Sequence, residues 1–134
     1  MPELPTGRKF SLGDKEFNFS LATTGPELIR GLSGVASLDP FDGMVFDFGC
    51  KFSPIMTPKG LLFPVDVAFV TDYGEVVEIY RLDPGYGFTQ ATTRKDIQYA
   101  LEVPVGFFDL HGVGIGDFLF DAQPGHNSDT NRIA

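Results

Sequence analysis

The sequence predicts a mainly β domain of the α+β class, in which one or two short helices accompany the strands. The 16 glycines and 10 prolines divide the 134 residues into short segments, a composition that favours many short strands over long helices. Hydrophobic residues make up 43% of the chain, which is enough for one core at the commonest domain size. The segment 56–80 has the pattern of two apolar strands joined by a tight turn.

The chain is predicted to begin with an arm and a hairpin. Residues 1–7 contain two prolines and a glycine, which is typical of an extended arm. Segments 8–12 and 16–22 alternate apolar and polar side chains on either side of Gly13, and this pattern predicts two paired strands. We therefore expect residues 1–15 to form an N-terminal arm with the first strand.

A short helix is predicted directly after this hairpin. Thr24 and Glu27 have the spacing of a capping box, and Pro26 lies in the first turn, where its missing N–H does no harm. The apolar stripe that follows predicts a helix to about Ser33, with Gly34 as the stop signal.

The central strands are predicted in the next part of the chain. Segment 43–48 alternates, whereas 63–70 is mostly apolar and predicts a strand that is buried on both faces. Residues 72–74 supply a turn before a second strand at 75–80. Cys50 follows an apolar strand, and we expect it to be buried as a small hydrophobic side chain.

The last third of the sequence is predicted to complete the core. Its segments are a long polar loop at 83–96, a strand at 97–103, a short helix at 105–110 and a final core segment at 113–120. Residues 121–134 are polar and patternless, which predicts a disordered tail. Residues 16–120 are therefore expected to form one β domain.

Charge, the cysteine count and the N-terminal sequence exclude several classes of function. A net charge of −8 and a pI near 4.5 oppose binding to phosphate backbones, so we expect no nucleic-acid partner. Cys50 is the single cysteine, so an internal disulfide cannot form. No segment has the apolar run of a signal peptide or of a membrane helix. We expect a protein without a cofactor or a membrane partner, located in the cytoplasm or in a virion.

Five short motifs follow one another along the chain: RGL at 30–32, GMVFDF at 43–48, FPVDVAFV at 63–70, LE at 101–102 and VGIGD at 113–117. Over about residues 17–120, their order and spacing resemble the bacterial and archaeal family known as domain of unknown function 192. The resemblance implies a small, mostly β domain with a barrel-like sheet, and it supplies no established reaction. The chain departs from the family pattern at Ser33 and at 57–61, where Lys59 is kept but an aromatic residue and an asparagine are missing.

Four charged residues lie inside otherwise apolar motifs: Arg30, Lys59, Asp66 and Glu102. A buried charge is costly unless it is paired and hydrogen-bonded, so we expect some pairing among them. One interpretation is a polar pocket beside the central strand, in which Lys59 and Arg30 hold an anion. The other is a structural ion pair, in which Asp66 or Glu102 locks a loop.

The 83–96 loop is a candidate surface for binding a partner protein. It mixes aromatic and hydrogen-bonding side chains, as recognition loops do; these are Tyr86, Phe88, Gln90, Thr92 and Arg94. The alternative is a solvated connector between two strands.

Patterns for catalysis and metal binding are weak. His111, His126 and Cys50 have no zinc-ligand spacing, so no metal is expected. Ser33 ends the predicted helix instead of preceding one, which excludes a nucleophile elbow. The glycines of 112–116 lead into a strand and offer no helix N-terminus to a phosphate.

The sequence favours a non-catalytic structural or interaction module that binds other chains through its termini and the 83–96 loop. A homo-oligomer or a larger assembly is expected, and a phage virion decoration or accessory protein is its concrete form. The alternative is a small-ligand or saccharide-binding domain with a pocket near Lys59 and Asp66. A third and less favoured hypothesis is a hydrolase with Asp66 or Glu102 as general base.

Overall fold

The computed structural model describes residues 3–122, and its main feature is one curled sheet. The strands are β1 (Gly7–Leu12), β2 (Lys15–Ala22), β3 (Gly43–Phe52), β4 (Ile55–Met56), β5 (Val65–Thr71), β6 (Val76–Leu82), β7 (Gln90–Ala91), β8 (Ile97–Pro104) and β9 (Leu119–Asp121). The helices are α1 (Gly25–Arg30) and α2 (Phe107–His111). Seven strands form the sheet in the order β6-β5-β8-β3-β2-β1-β9, and β4 pairs with β7. The predicted α+β class is confirmed, and the sheet is a half-barrel.

The first predicted hairpin is present, and its first strand lies inside the sheet. Strand β1 pairs with β2 from Gly7↔Ser20 to Leu12↔Lys15. Its other edge pairs with β9, so that the two ends of the described chain lie side by side. Asp121, which was predicted to begin the tail, is the last residue of β9. Residues 123–134 of the predicted tail lie outside the described residues.

Strands β5 and β8 are neighbours inside the sheet, and each of the seven residues of β5 is buried. Alternate side chains enter two hydrophobic clusters on opposite faces. The Phe19 cluster includes Phe10, Phe19, Val45, Ala68, Leu101 and Val103. The Met44 cluster includes Leu32, Met44, Phe46, Met56, Leu61, Val67 and Ala100. A position on β8 therefore decides which of the two clusters its side chain meets.

The segment that precedes β9 closes the curled sheet. The amide of Gly13, in the β1–β2 turn, donates to the carbonyl of Phe118 at 3.2 Å. The amide of Leu119 donates to the carbonyl of Gly74, in the β5–β6 turn, at 2.8 Å. One segment thus ties together two hairpin turns from opposite sides of the sheet. The predicted final core segment is strand only at Leu119–Asp121, because its earlier residues form a turn of their own, in which the amide of Asp117 donates to the carbonyl of Gly114 at 3.0 Å.

Glycines determine where both helices begin or end: α1 ends earlier than predicted, and α2 begins later. The capping box at Thr24 and Glu27 is present, and α1 ends at Arg30 instead of Ser33. The chain leaves the helix at Gly31, whose φ of 52° is unfavourable for a residue with a side chain. Helix α2 begins at Phe107 instead of residue 105, after Gly106 with a φ of 86°. Within the described residues, neither helix has the length or apolar character needed to cross a membrane.

The expectation that Cys50 is buried is wrong. Strand β3 bulges away from its partner, since its pairing with β8 shifts between Asp47, opposite Tyr99, and Phe52, opposite Ile97. The residues from Gly49 to Phe52 are exposed as a result. Cys50 therefore has a free, solvent-exposed thiol.

Candidate functional site

Glu102 is a buried carboxyl without a protein partner. It lies on β8, opposite Met44 of β3 and Val67 of β5, and so shares the face of the Met44 cluster. Only 3% of the residue is exposed. Among residues 3–122, no side chain or amide forms a hydrogen bond or an ion pair with its carboxyl group. Burial raises the pKa of Glu102 to about 8, because desolvation disfavours the ionised form.

A cavity of about 550 Å³ lies in front of this carboxyl. Its apolar wall consists of Leu28, Leu32, Phe46, Met56 and Leu61, contributed by α1, β3, β4 and the loops that follow α1 and β4. The volume falls within the roughly 300–1,000 Å³ that is typical of small-molecule sites. Because Glu102 is the most deeply buried polar residue of the lining, it marks the inner end of the cavity.

Two cations stand at the mouth of the cavity. Arg30 is the last residue of α1, and Lys59 belongs to the loop between β4 and β5; both are exposed and both line the cavity. Neither forms an ion pair with an acidic residue in the described part of the chain, Glu102 included. The mouth therefore carries two cationic side chains, although the whole chain has a net charge of −8.

The two sides of the mouth are held together by backbone contacts. The amide of Gly34, just after α1, donates to the carbonyl of Gly60 at 2.9 Å. Gly60 has a φ of 82°, and a Cβ at this position would overlap the Ser33 hydroxyl and lie 2.9 Å from the Ser33 Cβ. Only glycine fits this conformation and this close approach. The mouth is thus built into the fold before any ligand arrives.

Asp66 lies on the other face of the sheet and takes no part in the cavity. In the β5–β8 ladder Asp66 is opposite Val103, whereas Val67 is opposite Glu102. The Asp66 Oδ1 atom accepts a hydrogen bond from Arg81 Nε at 3.2 Å, and its Oδ2 atom accepts one from the Gly106 amide at 3.0 Å. The carboxylate therefore braces the entry to α2. The pairing expected among the four charged residues does not occur. Asp66 faces away from the other three because successive positions on a strand point in opposite directions, and neither cation of the cavity lies within ion-pair distance of Glu102.

The residues of the 83–96 loop that were predicted to bind a partner fall into two groups, exposed aromatic side chains and hydrogen-bonded polar ones. Tyr86 and Phe88 are 74% and 72% exposed. Gln90 belongs to β7 and donates from Nε2 to the carbonyl of Arg81 at 3.2 Å. Arg94 forms an ion pair with Asp96 at 2.8 Å, and its amide donates to Thr92 Oγ1 at 3.0 Å. The polar side chains of this set thus have partners within the described chain, whereas the two aromatic rings are largely exposed.

Sequence reasoning identified three charged residues of the cavity and missed its apolar wall. Met56 and Leu61 come from a segment without hydrophobic periodicity, so no pattern assigns them to a core. Leu28 and Leu32 belong to the apolar stripe that predicts α1, and a helix stripe by itself does not indicate a cavity. The one available signal was Glu102 itself, an acid in an apolar strand.

The fold and the cavity define a small α+β half-barrel protein with a ligand-sized cavity beside strand β8. The model of the family DUF192, described as "Uncharacterized ACR", matches residues 8–120, and the chain belongs to this family. The resemblance stated from the sequence is therefore confirmed.

Two solved structures have the same fold. A candidate transcription regulator from Sinorhizobium meliloti is 24% identical with a TM-score of 0.79, and the match covers 89% of this chain and 96% of that one. A protein of unknown function from Novosphingobium aromaticivorans is 20% identical with a TM-score of 0.71, and the match covers 84% of each chain. At these identities the likeness concerns the fold alone. A search of curated proteins found no match.

Proposed function

We propose that the protein is a non-catalytic binding module whose small-molecule ligand occupies the cavity beneath α1 and reaches Glu102. One observation carries the proposal: a carboxyl that is 3% exposed faces a cavity and has no partner in the described chain. A buried polar group without a hydrogen bond costs free energy. Features that cost stability without serving the fold are expected at functional sites. A ligand that supplies the missing hydrogen bond would recover part of this cost.

The composition of the cavity favours binding over turnover. Of the described residues that line it, Arg30, Lys59 and Glu102 are the titratable ones. Nucleophilic catalysis needs a nucleophile and a base within hydrogen-bond reach of each other. In the described chain, Glu102 forms no hydrogen bond with the hydroxyl or ammonium groups of the lining. Asp66, the other residue considered as a general base, already accepts hydrogen bonds from Arg81 and Gly106.

Thermal unfolding in the presence of a broad set of small molecules tests the proposal. A ligand that binds the folded state raises the melting temperature by mass action. We expect this rise in the wild type and in Lys15→Ala, a control at the β1–β2 turn, and a much smaller rise in Lys59→Ala and Glu102→Leu. If Glu102→Leu is stabilised as strongly as the wild type by every active compound, the ligand does not use this cavity.

A second candidate function is an assembly subunit, and the exposed rings of Tyr86 and Phe88 favour it. Aromatic residues are enriched at protein interfaces relative to the rest of a surface. A phage virion protein is one form of such a subunit. The partner to test first is a second copy of this chain. Sedimentation should detect an oligomer in the wild type that is lost when Tyr86 and Phe88 are both replaced by serine. A wild-type monomer at high concentration would contradict self-assembly.

A further inference from the structure

The two ends of the cavity beneath α1 differ in charge, and this difference restricts the class of ligand. We propose that the ligand is an organic anion that carries an uncharged oxygen, such as a ketone carbonyl, at the end opposite its charge. This inference rests on the proposed function. The anionic group lies at Arg30 and Lys59, the apolar chain lies along the cavity wall, and the oxygen accepts a hydrogen bond from Glu102.

The inner end requires a hydrogen-bond acceptor. The residues that surround Glu102 on β3, β5 and β4 are apolar. The titratable groups facing it are Arg30 from α1 and Lys59 from the loop between β4 and β5, both beyond ion-pair distance. A carboxyl in such surroundings keeps its proton and is then a donor. A ligand ammonium group would have to remove that proton and form a buried ion pair, whose desolvation is costly. A carbonyl oxygen needs no such change.

The outer end requires an anion. Arg30 and Lys59 reach the mouth from two segments that the Gly34–Gly60 hydrogen bond holds together. A guanidinium and an ammonium group without acidic partners bind a carboxylate or a phosphate through charge-assisted hydrogen bonds. Ile29 and Ile55 also line the cavity, although they are 88% and 68% exposed. These side chains offer apolar contact to a methylene chain as it enters.

Calorimetric titration with straight-chain oxo-acids of increasing length tests this ligand class. Each oxo-acid is compared with the unsubstituted fatty acid, with its own methyl ester and with the amino acid that carries a terminal ammonium group. We expect the best oxo-acid to bind about tenfold more tightly than the fatty acid, because one hydrogen bond is lost. The ester should also bind less tightly, because it lacks the charge. The affinity of the oxo-acid should fall as the pH rises above about 8, where Glu102 loses its proton.

Two variants of Glu102 distinguish the effect of its hydrogen-bond donation from the effect of its ionisation. Glu102→Gln keeps a donor and cannot ionise, so the preference for the oxo-acid should remain while its pH dependence disappears. Glu102→Leu should bind the oxo-acid and the fatty acid equally. Lys15→Ala should behave as the wild type in every titration. Because Glu102→Gln retains size and hydrogen bonding, it keeps the test decisive if Glu102→Leu fails to fold.

The outcomes distinguish this inference from the proposed function. Equal affinity for the oxo-acid and the fatty acid at every length would contradict a ligand oxygen that accepts a hydrogen bond from Glu102. Tighter binding of the amino acid would contradict a protonated, uncharged Glu102 at the inner end. If other compounds stabilise the protein but no oxo-acid does, the ligand class is wrong and the cavity remains a binding site. If no compound of any class stabilises the wild type, the proposed function itself is wrong.

Discussion

At the residue scale, two carboxyl groups that are one register position apart have opposite roles. Asp66 accepts hydrogen bonds from a guanidinium and a backbone amide, so its charge is satisfied within the fold. Glu102 faces apolar side chains and a cavity, so burial keeps it protonated. The first carboxyl stabilises the protein, whereas the second is available to a ligand. Which face each occupies follows from the β5–β8 register.

The stability of the protein should depend on the protonation of Glu102. Its pKa is about 8 in the folded state against an ordinary value of 4.5, so the folded state binds the proton more tightly. The free energy of unfolding should therefore fall by about 1.4 kcal/mol per unit as the pH rises between these values. Above the folded-state pKa it should level off. Glu102→Gln should lack this decline, as urea unfolding at several pH values can show; parallel curves for both proteins would contradict the assignment.

Asp66→Asn should destabilise the fold without affecting the cavity. An asparagine side chain has one acceptor oxygen, so either the Arg81 guanidinium or the Gly106 amide loses its partner. We expect a loss of about 1–3 kcal/mol in the free energy of unfolding. Arg81→Ala is the matched control and should cost less than about 1 kcal/mol, because that side chain is half exposed. Ligand-induced stabilisation should be unchanged, and its loss in Asp66→Asn would place Asp66 in the binding site.

At the element scale, the junction between α1 and the loop after β4 shapes the cavity. Helix α1 has only six residues and no buried side chain of its own, so its position depends on its cap and on its neighbours. The Gly34–Gly60 hydrogen bond supplies one such contact on the C-terminal side. The cavity mouth is therefore as rigid as this junction.

Gly60→Ala and Gly49→Ala form a matched pair that measures how much the close contact at the junction contributes to the free energy of unfolding. Their φ angles are 82° and 81°, but only at Gly60 does an added Cβ meet other atoms. Gly49→Ala should cost about 1–2 kcal/mol of unfolding free energy from backbone strain alone. Gly60→Ala should cost at least about 1 kcal/mol more, since Ser33 must move. Chemical unfolding measures both, and equal costs would show that the contact with Ser33 is easily relieved.

At the scale of the whole molecule, the half-barrel depends on a late segment that joins its two sides. Leu119 is fully buried in the Phe19 cluster, and its amide bonds to the β5–β6 turn. Strand β9 pairs with β1, so residues close to both ends of the described chain complete the same sheet. Folding should therefore be cooperative across the entire domain.

Leu119→Ala should destabilise the whole molecule by about 2–5 kcal/mol, because it leaves a cavity where the sheet closes. Leu110→Ala is the control: that side chain is 80% exposed and its loss should change the unfolding free energy by about 0.5 kcal/mol or less. A single unfolding transition, followed by circular dichroism and by tyrosine fluorescence, should shift to lower denaturant concentration. Two separate transitions would contradict cooperative closure.

Local physical chemistry made much of the fold predictable. Alternation located the hairpins, the run of apolar residues predicted a strand buried on both faces, and the Thr24–Glu27 spacing predicted the helix cap. Glycine positions limited the helices more sharply than hydrophobic periodicity did. The prediction for Cys50 failed because burial there depends on where the β3–β8 pairing shifts.

The sequence by itself determined that Glu102 is an acid surrounded by apolar residues, and that Arg30 and Lys59 are charged residues within structural motifs. Only the tertiary structure decided that these three meet at one cavity while Asp66 lies behind the sheet. The physical reason is that alternation is a local property of a strand. Register, and the contact between α1 and the loop near Gly60, are set by pairing between segments that are distant along the chain.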